Sequence, residues 1–231
     1  MANKLRGLMS VAVIFATFML TVAAQERFVL PVDEASQDAS FAAFRTKLIA
    51  AVERRDASFI LGILDSKIQL SFGGDAGIMD FKRIWRVQQK DSKFWAAMLP
   101  IVKNGGRFDN VVPGVKRFEA PYTFGGFPQD LDEFSYSSIF GNNVRLRSSP
   151  GVTAPVVTEL SYNIVSVDFA KSIKTKGSGD DDSNYDWYKV TTLGGKTGFV
   201  KAEFVRSPID LRAGFEKKRG AWKMVFFIVG D

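Results

Sequence analysis

The chain runs to 231 residues, 46% hydrophobic and 24% charged, with a formal charge of +6 and neither histidine nor cysteine. That composition suits one or two globular domains and not a disordered chain. The two absences exclude thiol nucleophiles, disulfides, Cys-type zinc sites, a Ser-His-Asp relay and His-ligated catalytic zinc.

Residues 1–24 have the order of a secretory signal. Lys4 and Arg6 form a basic start, and Leu8 to Leu20 an apolar core broken only by Ser10 and Thr17. Val22 and Ala24 are the small residues a signal peptidase accepts. Cleavage there makes Gln25 the first mature residue and predicts a periplasmic or extracellular protein with no stable membrane span. An uncleaved anchor over Leu8–Ala24, 17 residues, is the alternative. Loss of Lys4 and Arg6 lowers the basic excess from six to four, which suits anionic envelope polymers and plain solubility equally. No run of Arg and Lys interleaved with aromatics suggests a nucleic-acid partner.

From 38 to 134 the pattern predicts a helical α+β region. Phe41, Phe44, Leu48 and Val52 recur at helical spacing behind Asp38 or Ser40 as N-cap, and Asp56 caps a short second helix. Ile68, Leu70 and Phe72 then alternate as a half-buried strand ended by Gly73-Gly74. Helical spacing returns at Ile78, Phe81, Ile84 and Trp85, and again at Phe94 to Val102, where Pro100 predicts a kink or a split. Residues 104–134 hold three prolines and five glycines among many aromatics, which predicts an irregular, packed connection and not a free tether.

From residue 139 to 207 short strands and turns predict a small all-β barrel. Val144 and Leu146 alternate inward with Arg145 and Arg147 facing solvent. In Trp187-Tyr-Lys-Val190, an inward Val190 turns Tyr188 inward and Trp187 and Lys189 outward. Asn143-Val-Arg-Leu-Arg-Ser-Ser-Pro150, Trp187-Tyr-Lys-Val190 and Gly194-Gly-Lys-Thr-Gly-Phe-Val200 follow one another in the order found in the bacterial SH3 family, which residues 142–206 resemble. Phe199 stands where that family usually has Trp. The resemblance implies an SH3-like barrel and an extended ligand, such as a peptidoglycan stem peptide or an envelope protein. Tyr185, Trp187 and Phe199 are the candidate ligand-binding residues, with Trp187 covered by a loop or by the N-terminal region as the alternative. Asp180, Asp182 and Asn184 alternate like the first ligands of a calcium loop. Tyr185 replaces the required Gly and Thr191 the bidentate Glu, so the stretch reads as a solvated loop with no metal or other cofactor.

Residues 208–231 predict a β-hairpin, with Leu211, Ala213 and Phe215 alternating before the turn and Trp222, Met224, Phe226 and Ile228 after it. Its apolar surface needs a sheet partner, and the strand near 67–72 is the natural one. Gly220-Ala-Trp-Lys-Met224 and the order of elements resemble the nuclear-transport-factor-like (cystatin-like) α+β cone. That implies a barrel inserted between two halves of one domain; a hairpin packed on the barrel alone is the alternative. No Cys, His or Ser-x-x-Lys nucleophile is present, which leaves carboxylate-only chemistry as the enzymatic alternative. Asp75 and Asp80, in a pocket with Trp85 and Trp222, are its candidate residues. The leading reading is an exported, non-enzymatic binding protein; a small-molecule-binding cone or carboxylate-only enzyme is the second, and a structural part of an envelope complex the third.

Overall fold

Asp38 opens the first helix, α1 (Ala39–Glu53). In the computed structural model, which describes residues 25–109, 114–176 and 184–230, its carboxylate accepts from the Ser40 amide at 2.9 Å and the Phe41 amide at 3.1 Å. The Ser40 hydroxyl and then the Phe41 amide hold this carboxyl well below the usual carboxylate range, so the cap persists until strongly acid pH. Asp38→Ala should lower stability by about 1 kcal/mol, read as a shift of the urea midpoint at constant slope. An unchanged midpoint would show that the helix start does not depend on the cap. Asp56 caps α2 (Ala57–Ile63) in the same way, accepting from Phe59 at 2.9 Å.

Strand β1 (Leu64–Gln69), α3 (Gly77–Trp85) and α4 (Phe94–Lys103) follow. The strand stops before Phe72, whose ring is exposed rather than inward. Pro100 neither splits nor ends α4. Its missing amide leaves the Ala96 carbonyl without its helical donor, but Ala96 and Pro100 both lie on the exposed side, where water can serve that carbonyl.

The segment expected to be irregular contributes two strands, β2 (Arg107–Asp109) and β3 (Arg117–Ala120), and a short helix, α5 (Tyr122–Gly125). Seven strands come next: β4 (Tyr136–Ile139), β5 (Val144–Arg147), β6 (Val156–Leu160), β7 (Ile164–Lys174), β8 (Tyr185–Thr192), β9 (Thr197–Lys201) and β10 (Val205–Arg206). The hairpin of β11 (Arg212–Lys218) and β12 (Ala221–Ile228) ends the series. Arg219 and Gly220 both have positive φ, as a two-residue hairpin loop requires.

The fold is α+β, built on two sheets. The first has the order β1-β12-β11-β3-β2, with β1 parallel to β12 and the other pairs antiparallel. The second, a curled antiparallel half-barrel, has the order β10-β4-β7-β8-β9-β5-β6. The chain thus leaves the first sheet after β3 and returns to it at β11, and the C-terminal hairpin pairs with β1 and β3.

Helices α1 to α4 cover one face of the first sheet over an aromatic core. Phe41 lies 4.2 Å from Phe118 and 4.8 Å from Trp222 between ring centroids, and Phe94 lies 5.4 Å from Phe227. A register shift opposite Gly214 and Phe215 breaks the expected alternation of β12. Met224 and Phe227 enter the core, while Phe226 goes to the other face. Gly214 makes room for that ring, since a Cβ there would stand 2.1 Å from it. The half-barrel has its own smaller core of Ile139, Val144, Leu146, Leu160, Val165, Val190 and Val200.

Residues 26–34 tie the two sheets together. The Val29 amide donates to the Tyr162 carbonyl and Glu26 accepts from Thr192 at 2.6 Å, while Gly106 donates to Val32 and Phe108 to Glu34. The predicted leader, residues 1–24, lies outside the described residues, as do Asp180 and Asp182. Among the described residues no helix is long and apolar enough to cross a membrane.

Candidate functional site

Val190 and Val200 point into the barrel core, so their strand neighbours point out. Trp187 pairs in register with Lys201, and Lys189 with Phe199. These four side chains therefore share the outer face of β8 and β9. On β5, Val144 and Leu146 are inward and Arg145 is exposed, as the alternation predicts. Arg147 departs from it. A register shift between Leu146 and Arg147 tucks its side chain under the loop, where it donates to the Ala154 carbonyl at 2.6 Å and is buried.

The result is a groove of about 330 Å³ in which the half-buried Trp187 and the exposed Phe204 and Val152 supply apolar wall and Arg145, Arg147 and Lys201 supply positive charge. Lys201 reaches Glu203 at 2.7 Å, whereas the exposed Arg145 side chain makes no ion pair or hydrogen bond with any described residue. Phe199 lies on the same face beyond the groove, with Lys189 Nζ 4.8 Å from its ring centre. Tyr185 does not join them. An extra residue in β8 opposite the Ile173–Lys174 step turns its ring inward, 4.9 Å from Tyr188 and 5.9 Å from Phe169. Lys201 and Phe204 escape a reading of the sequence because their place opposite Trp187 depends on the β8–β9 register.

The structure does not turn Asp75, Asp80, Trp85 and Trp222 toward one another. Asp75 and Asp80 are partly exposed and both bind Arg83, at 2.6 and 3.0 Å. Trp85 packs on Phe227 at 4.8 Å, and buried Trp222 donates from Nε1 to the Ser40 hydroxyl at 3.0 Å. Each acid serves a turn: Asp75 accepts from the Ser71 hydroxyl and Asp80 from the Ala76 amide.

The sheet order, the three motifs and the outward Trp converge on residues 142–206. That segment matches the family model of the bacterial SH3 domain. Bacterial SH3 domains are binding modules, commonly of cell walls, and not catalysts. The match spans β5 to β10, while β4, which pairs with both β7 and β10, precedes it. No curated protein matches the chain significantly.

Proposed function

We propose that this is an exported, non-catalytic binding protein whose SH3-type barrel holds a cell-envelope ligand, a peptidoglycan stem peptide or a partner protein, in the Trp187 groove. One observation carries the reading: a half-buried outward Trp beside Lys201 and an exposed Arg145 that pairs with no described residue, in a groove of about 330 Å³. The aromatic face suits an extended chain, and the cations suit its carboxylates. Export to the periplasm or exterior rests on the pattern of residues 1–24. The strand order of the first sheet is compatible with the cone resemblance, in which the helical part would act as scaffold for the barrel.

The test is co-sedimentation of residues 25–231 with insoluble peptidoglycan. Native protein should pellet with the wall, and Trp187→Ala should weaken this at least tenfold while thermal unfolding stays within a few degrees. Absence of pelleting by the native protein at low salt would sink the wall as ligand. Equal pelleting by Trp187→Ala would sink the groove.

A further inference from the structure

A cleft of about 710 Å³ lies away from the barrel groove, between the helix-free face of the first sheet and the connection 124–134. Phe118 and Ala120 face the helices, so Glu119 faces the cleft; Phe108 faces the helices at the sheet edge, so Arg107 faces the cleft. Arg107 and Glu119 are register partners across β2 and β3. Opposite charges so placed would be expected to pair. They do not: no nitrogen of Arg107 comes within salt-bridge distance of Glu119, and among the described residues the Arg107 guanidinium has no hydrogen-bond or ion-pair partner, its Nε being buried.

The Glu119 side chain is 9% exposed, and among the described residues only Arg117, through one long ion pair, and the charge of Arg212 offset it. Its nearest cation, Arg117 Nη1, stands 3.7 Å away, and that guanidinium is committed to Glu216 at 2.6 and 2.8 Å. The other acids of the cleft are engaged. Asp132 accepts from the Phe134 amide, and Asp109 and Glu133 each have contacts of their own. Nor do acids converge here as a metal site, since no ligand set of three or more occurs among the described residues. What remains is a buried carboxylate with one long ion pair, beside the Arg107 guanidinium and under a wall of Phe124, Phe127 and Phe134.

We propose that this cleft binds a free amino acid with an apolar side chain, its ammonium on Glu119, its carboxylate on Arg107 and its side chain against the phenylalanines. An amino acid carries both charges on one carbon, so it can bridge two side chains that stand side by side yet do not touch. Each bond made in the cleft is charge-assisted and shielded from water. The assignment is independent of the barrel groove.

The experiment is isothermal titration calorimetry of residues 25–231 at pH 8 with three probes: L-phenylalanine, 2-phenylethylamine, which lacks the carboxylate and keeps its positive charge, and 3-phenylpropanoate, which lacks the amine. Phenylalanine should bind, and each truncated probe should bind at least tenfold more weakly. Glu119→Gln should reduce phenylalanine binding at least tenfold. Arg107→Met should bring phenylalanine down to the level of 2-phenylethylamine while leaving 2-phenylethylamine unchanged, which a merely unfolded or distorted variant would not do. No heat from phenylalanine at 10 mM (on the order of the weakest affinity worth calling specific) would overturn the proposal. So would equal binding of 2-phenylethylamine, which would make the cleft a site for simple cations.

Discussion

Phe41→Ala is expected to be the most damaging single truncation in the helical region, with a loss of about 3–5 kcal/mol. The ring is fully buried and meets five others, those of Phe44, Phe108, Phe118, Phe215 and Trp222, at centroid distances of 4.2 to 6.0 Å. It joins α1 to β2, β3, β11 and β12 at once, so no single neighbour can move in without leaving another. The hole therefore stays open, and the loss exceeds the transfer term alone. Urea unfolding followed by tryptophan fluorescence measures it, because Trp222 is one of the five. A cost below about 1.5 kcal/mol would mean that the core collapses around the missing ring.

Glu119→Gln should act in the opposite direction, and only above neutral pH. Burial, reinforced by the charge of Asp109 and opposed by Arg117 and Arg212, pushes the Glu119 carboxyl up from 4.5 to about 7. A carboxyl with a raised pKa in the fold binds its proton more tightly there than in the unfolded chain. Its neutral form thus favours the fold at low pH, and that advantage disappears as pH rises through 4.5 to 7. The shift corresponds to at most about 3 kcal/mol by pH 8. Glutamine keeps the shape without the charge, so the variant should match the native protein at pH 4.5 and exceed it by about 2–3 kcal/mol at pH 8. For a chain of this size that is about 5–10 °C in Tm. Thermal scans at the two pH values provide the check, and an equal shift at both would show that the charge of Glu119 is not the cause. Stability gained by losing a charge is what a ligand site tends to yield, because the open carboxylate costs the empty protein something.

The barrel was largely legible in the sequence because its signals are local. Val144, Leu146, Val190 and Val200 alternate with polar neighbours, and alternation alone assigns Trp187 to the outer face. Wherever a bulge interrupts a strand, that arithmetic fails by one residue. Tyr185 and Arg147 on the barrel, and Phe226 on the hairpin, all end on a face opposite to the one their spacing predicts. Strands β2 and β3 were hidden for another reason. They are short and surrounded by proline and glycine, and they gain their order by adding to the edge of β11, a contact made across about a hundred residues of chain. The cleft could not be read at all. Arg107 and Glu119 look like ordinary surface charges until β2 pairs with β3 and the connection 124–134 folds over them.

Strand β12 also sets the order in which the molecule can be completed during synthesis. It is the last described strand along the chain, and the only one that joins β1 to the rest of the first sheet. All strands of the half-barrel emerge within residues 136–206, so the barrel can close while the helices still wait over an unfinished sheet with β1 as an unpaired edge. The eight residues of β12 then act as a latch, fixing α1 to α4, β1 and the returning chain in a single step. A nick that removes them would take from β1 its one partner in the first sheet, while the half-barrel keeps all of its described strands and its own core.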